Sequence, residues 1–199
     1  MIAAIALGIF VLVNSAVGLR LLWTAAQKGG SAAWSCGLGF TSIGLLGYPM
    51  STIAGVGSLP VGEVNQALGA AGSVFTAFGL SAFFAFTMLA FRASAKWAWG
   101  FTGVCSVLLL TTAFGQIGAL ASATPGTPSS QAIHSFGMVT GVLSLICYAW
   151  SGLEGMTEWR RARRRVALGI TDPLVANRIL ALPGFEWVSE ERNRVRVRR

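Results

Sequence analysis

Titratable and hydrogen-bonding side chains are scarce in the first three quarters of this chain, so the few present mark where chemistry could be done. His134 is the one imidazole in 199 residues, and Glu63 is the one carboxylate before Glu154. With Gln116 they fall at or beside the ends of apolar segments, whereas Asn14 falls near the middle of one. Polar groups inside a bilayer are costly, which makes them natural places to look for a ligand or an ion path. Glu63, Gln116 and His134 could line the entrance of a pocket or pathway, with Glu63 and His134 as its titratable pair and Asn14 at the midplane. The same groups can instead hydrogen-bond between helices or to interfacial water, with Glu63 solvated. That is their ordinary use in helical bundles and the default reading here.

The residue inventory removes several chemistries. A lone histidine cannot supply the paired axial ligands of a membrane haem, and Cys36, Cys105 and Cys147 have no spacing suited to zinc or an iron–sulfur cluster. Their odd number and wide separation imply no disulfide framework. No lysine lies inside an apolar segment to form a retinal Schiff base. The glycines of "GLGFTSIG" (37–44) sit within an apolar run instead of between a strand and a helix, so they form no phosphate loop. No carboxylate occupies the core of an apolar segment, which argues against a proton-driven pump but not against passive conduction. No metal and no cofactor are therefore expected. A lipid-modifying enzyme with His134 as its only base rests on that one residue.

The elements that carry these residues are those of a membrane protein. Hydrophobic residues make up 54% and charged residues 11% of the chain, where soluble domains average about 25% charged. Mean hydropathy is +0.65. A helix needs about 20 apolar residues to cross a bilayer, and five segments qualify: residues 2–24, 34–54, 66–91, 97–121 and 132–153. Their connections, "AAQKGGSAA", "GVGSLPVGEVN", "RASAK" and "SATPGTPSSQ", are rich in Gly, Pro, Ser or charge, and connections this short make neighbours antiparallel. The first run lacks a basic leader and reads as a retained span, not a cleaved signal peptide. Pro49 should kink the second span, because it cannot donate to the carbonyl of Leu45. The expected fold is an all-α integral membrane protein, with an antiparallel bundle of five transmembrane helices in residues 1–157 and a basic tail in 158–199.

Charge sets the expected orientation. Arg20 and Lys28 flank the first connection, Arg92 and Lys96 the third, and Arg160, Arg161, Arg163, Arg164 and Arg165 follow the fifth span. The second and fourth connections carry none. Short loops rich in lysine and arginine stay in the cytoplasm, so the chain is expected in a bacterial inner membrane, amino terminus outside and carboxyl terminus inside. Trp23, Trp34, Trp97, Trp99, Trp150 and Trp159 fall near the same ends, as an interfacial belt would. The net charge of +8 is a property of the tail. Without aromatic-interleaved basic domains it calls for anionic headgroups or a partner protein, not nucleic acid. Beyond the arginines, Thr171 or Asp172 can cap a short amphipathic helix over about 173–182, with Pro173 in its first turn and Arg178 toward phosphates. It ends at Pro183, too short to cross, and should lie along the membrane face or dock on a neighbour.

Two segments, "GLRLLWTAAQKGG" with "GLGFTSIGLLGYP" (18–49) and "RRARRRVALGITDPLVANRILAL" (160–182), resemble the LGYP and DPxVANR signatures of an uncharacterised family of bacterial multi-span membrane proteins. The resemblance implies that the second signature opens a further full-length span, about seven in all, and brings no function with it. This chain departs from that pattern after Leu182, where "PGFEWVSEERNRVRVRR" replaces a continuing apolar run.

Small residues recur with helical period on two spans. Gly69, Gly72, Thr76 and Gly79 draw one row, and Gly137, Gly141 and Ser144, in line with His134 and Tyr148, draw another. Such rows let backbones approach closely and read as helix-packing faces, with a ligand groove as the functional alternative. The resulting expectation is a non-enzymatic accessory or scaffold subunit of a larger inner-membrane assembly, or a membrane sensor, partnered by other subunits or by a second copy. A small-solute or ion channel or transporter is the rival.

Overall fold

The computed structural model describes residues 2–55, 63–121 and 130–167, which are helical except at two short turns. The elements are α1 (Ile2–Lys28), α2 (Ser31–Thr41), a π segment (Ser42–Gly47), α3 (Tyr48–Gly55), α4 (Glu63–Phe91), α5 (Lys96–Ala121) and α6 (Ser130–Ala167). Apolar stretches of this length fold as helices because lipid offers no partner for backbone N–H and C=O groups, which must then bond within the segment. Four helices are long and apolar enough to cross a membrane: Gly8–Lys28, Ala67–Phe91, Lys96–Ala119 and Phe136–Arg164.

The turns follow from local chemistry. Past α1, Gly29 adopts φ 78° and Gly30 φ 109°, a region open to glycine because it has no Cβ. The Gly29 amide donates to the Ala25 carbonyl at 2.8 Å, a left-handed helix cap. Between α4 and α5 the Arg92 amide still reaches Met88 O at 2.8 Å, and Ala95 N then returns to Arg92 O at 2.9 Å.

The second expected span is one helical rod from Ser31 to Gly55, but its middle is π-helical. The Tyr48 amide donates to Ile43 O, five residues back. The π segment lies directly before Pro49, whose ring leaves the preceding turn one donor short. The irregularity expected from Pro49 therefore takes the form of a widened turn.

Contacts across helices give the order and direction of packing. A Cβ on Gly18 would meet Thr41, one on Gly37 would meet Leu22, and one on Gly44 would meet Asn14, so α1 runs antiparallel to α2 and the π segment. Gly72 faces Ser51, Gly47 faces Thr76 and Gly79 faces Ile43, so α4 is antiparallel to that rod. Thr140 meets Thr112 and Trp150 meets Phe101, making α5 and α6 antiparallel. Cys147 meets Leu80 and Ser151 meets Thr87, so α4 and α6 are parallel. α4 is the central helix, touching α2, the π segment, α3, α5 and α6. Its Ala77, Leu80, Phe83, Phe84 and Thr87 are buried with Ile43, Cys105, Leu109, Leu143 and Cys147. The three cysteines are free and buried.

These directions place Lys28, Arg92, Lys96 and the arginines of α6 at one end of the molecule, hereafter the basic end. α6 also runs past its expected limit. No break separates a span ending near 153 from a tail beginning at 158; its 38 residues extend about 57 Å, nearly twice the roughly 30 Å of a hydrocarbon core. Arg160, Arg161, Arg163 and Arg164 are thus carried rigidly on the same helix.

Candidate functional site

The most elaborate polar site among the described residues is one that composition and spacing did not single out, at the basic end between α4 and α6. Because these helices are parallel, residues just beyond the apolar part of each meet side by side. Arg92 Nε donates to Glu154 Oε1 at 2.8 Å, forming an ion pair between residues far apart in the chain. Trp150 Nε1, one turn below on α6, also points at Oε1, at 3.4 Å. The Glu154 side chain is 9% exposed and that of Arg92 36%. The second carboxylate oxygen, Oε2, is enclosed with no hydrogen-bond partner. Below the pair, Ser151 and Thr87 share a hydrogen bond; the Thr87 hydroxyl donates to Phe83 O at 3.0 Å, so Ser151 is the donor to Thr87.

Aromatic rings close the site on the α5 side. Trp150 lies 5.1 Å from Phe101, 6.0 Å from Trp97 and 6.1 Å from Phe84, centroid to centroid. Phe101 meets Trp150 edge to face while Trp97 and Phe84 are tilted to it, and the packed rings displace water, which strengthens a charge-assisted bond beside them. Of the expected belt residues, Trp23, Trp34, Trp97 and Trp99 are exposed, while Trp150 and Trp159 are half-buried, Trp150 against the core. The hydrogen bond and charge of Glu154 raise the Arg92 guanidinium above the ordinary arginine value. A permanent cation clamped to a buried carboxylate is an electrostatic clasp between α4 and α6. Arg92 engages the carboxylate through Nε, and Oε2 is left without a partner.

Of the residues proposed for a pathway, Asn14 and Gln116 have described side chains, and these stand on different helices. Asn14 sits on α1, where its amide donates to Phe10 O of its own helix at 2.7 Å. Its Cβ lies where a Gly44 side chain would be, 2.5 Å from that virtual atom, so this stretch of α1 packs directly on the π segment. Gln116 is on the far side of α4, on α5, partly buried and next to Gly115, which packs on the ring of Phe136. Glu63 opens α4 and His134 lies in the first turns of α6; the helix directions bring both to the same end as Gln116. Their side chains lie outside the described residues, as do the side chain of Arg165, all of Arg178 and the helix expected at 173–182. No group of three or more His, Cys, Asp or Glu able to hold a metal occurs among the described residues.

The two small-residue rows differ in use. On α4, a Cβ on Gly72 would lie 2.4 Å from Ser51 Oγ and 2.8 Å from its backbone nitrogen, and one on Gly79 would lie 2.5 Å from Ile43 Cγ1 and 3.0 Å from Gly39 O. Thr76 fills the space beside Gly47, and the carbonyl of Gly69 accepts from Ser73 at 3.0 Å. On α6, by contrast, a Cβ on Gly137 or Gly141 would meet nothing within 4 Å among the described residues. Ser144 is partly buried and turns its hydroxyl to Thr140 O at 2.8 Å. The helix packs instead through Leu143, Cys147, Ser151 and Glu154, and at the α5 contact the close-approach glycine is Gly115 on the opposite helix. Periodicity locates a row of small residues but does not say whether a neighbour occupies it.

The signal for the Arg92–Glu154 pair was present but required topology. Alternation makes the third and fifth spans parallel, and both residues stand just past their inner ends. No family model, curated protein or solved structure matches this chain.

Proposed function

We propose that this chain is a non-enzymatic, multi-pass membrane protein that serves as an accessory or scaffold subunit of a larger inner-membrane assembly. In this reading it crosses the membrane five times, the π-containing rod being the fifth crossing element, with the amino terminus outside and the basic end in the cytoplasm. Collection of lysines and arginines at one end supports that orientation.

The observation that carries the reading is the contrast between the glycine rows. Each glycine in a helix costs roughly 1 kcal/mol relative to alanine. On α4 that cost is offset by close backbone contact with α3 and the π segment. On α6, Gly137 and Gly141 incur it with no neighbour within 4 Å among the described residues, on an exposed face. A transmembrane helix of another subunit, or of a second copy, is the occupant that such a face suits.

Extraction in mild detergent followed by size determination tests the proposal. A stable complex larger than the monomer, lost in Gly137→Leu/Gly141→Leu while the monomer stays folded, is the expected result. A wild-type protein that runs as a lone monomer with nothing bound would count decisively against it.

A further inference from the structure

The arginines of α6 are not equivalent, and their geometry on the helix separates them. Glu154 belongs to the face of α6 that packs on α4. Arg161, seven residues on, returns to that face after two turns, and there it pairs with Glu158 one turn below. Trp159 and Arg163, five and nine residues beyond Glu154, lie about 140° and about 180° round the helix from it, Trp159 half-buried and Arg163 exposed. The Arg163 guanidinium lies over the Trp159 ring, 4.9 Å from its centroid. Arg160 and Arg164 are exposed and have no ion-pair partner among the described residues.

Depth decides what this outward group can meet. The apolar part of α6 ends near Glu154, so Trp159 stands about 7.5 Å further along the axis and Arg163 about 13.5 Å. The headgroup layer is only about 5–7 Å thick on each side of the hydrocarbon. Arg163 folds back by one turn, toward the bilayer, to stack on Trp159, which brings its charge down to the outer edge of that layer. Stacking on an aromatic face also leaves the edge N–H groups of a guanidinium free to hold phosphate oxygens.

Resting on the membrane orientation proposed above, we infer that Trp159, Arg160, Arg163 and Arg164 form a binding site for the phosphate of an anionic phospholipid in the leaflet at the basic end. Arg161 is excluded from it by its pairing with Glu158. Tryptophan supplies the interfacial anchor, and the three arginines supply the charge.

Native mass spectrometry of the full chain, transferred from detergent into mixed micelles of phosphatidylglycerol and phosphatidylcholine, reads the site directly. Wild type should retain phosphatidylglycerol in preference to phosphatidylcholine. Arg163→Ala, Arg160→Ala and Arg164→Ala should each weaken that retention by about fivefold, whereas Arg161→Ala leaves it unchanged. Retention should survive an excess of inorganic phosphate. Equal retention of the two lipids, a loss in Arg161→Ala as large as in Arg163→Ala, or full displacement by inorganic phosphate would overturn the assignment. Lipid is counted on the isolated chain, so this result is independent of whether a protein partner co-purifies.

Discussion

Removing either partner of the Arg92–Glu154 clasp should destabilise the bundle, but by different amounts, and the difference can be worked from exposure. Deleting one member of a buried ion pair costs about 3–5 kcal/mol because the other is left charged and unsolvated. Here the two are buried unequally, Glu154 at 9% exposure and Arg92 at 36%. Arg92→Gln strands the enclosed carboxylate; discounted for the water that reaches the arginine side, the cost is about 2 kcal/mol. Glu154→Gln leaves a guanidinium that solvent can hydrate and keeps an oxygen near Oε1, so the cost is about 1 kcal/mol. For a chain of this size, 1 kcal/mol moves Tm by about 2–4 °C. Thermal unfolding in one detergent, followed by near-ultraviolet circular dichroism, should therefore place Arg92→Gln about 4–8 °C below wild type and Glu154→Gln about half as far. The double variant should fall short of the sum, because the second change removes the charge that the first stranded. Glu154→Gln matching or exceeding Arg92→Gln, or strict additivity, would refute the reasoning.

Other consequences can be measured on the same preparation. Gly79→Ala places a methyl 3.0 Å from Gly39 O and 3.1 Å from Ile43 N, so overpacking should cost about 1–3 kcal/mol in unfolding; in contrast, Gly141→Ala, with open space around it, should be neutral or slightly stabilising in the monomer. The pH dependence follows from the raised Arg92 value. A group whose folded value is raised stabilises the fold fully below its unfolded value and loses that contribution only as pH rises through the folded one; for a guanidinium this lies far above neutral pH. Glu154→Gln, which leaves no buried carboxylate to protonate, should therefore lower Tm by the same amount at pH 6 and pH 9, to be checked by unfolding at both. Asn14→Leu tests the rival pathway reading: with Asn14 bonded to its own helix and packed on Gly44, solute or ion flux in proteoliposomes should not change, and a large fall would return Asn14 to a pathway.

Much of this molecule was legible in its residues taken locally. Long runs of apolar side chains, broken by Gly, Pro, Ser and charge, are enough to place α1, α4, α5 and the apolar part of α6, because a bilayer-length helix satisfies its own backbone and needs no neighbour to be recognised. Pro49 announced an irregularity in the second segment, since a missing N–H acts within one turn. The distribution of Lys28, Arg92, Lys96 and the α6 arginines likewise needs only alternation to be gathered at one end.

What tertiary structure decided is everything that depends on which surface meets which. The rows at Gly72–Gly79 and Gly137–Gly141 have the same period and composition, yet one is packed against α3 and the π segment and the other lies open. Arg92 and Glu154 each look like ordinary charges beside a span end. They form a clasp only because α4 and α6 lie parallel and adjacent, which brings together side chains 62 positions apart in the chain. The arginine run reads as one block of charge until the continuation of α6 pairs Arg161 with Glu158 and sets Arg163 over the Trp159 ring. Hydropathy and periodicity are properties of one helix, whereas close approach, burial of a carboxylate and the facing of a cation are properties of a pair of surfaces, and only the packed bundle supplies the second surface.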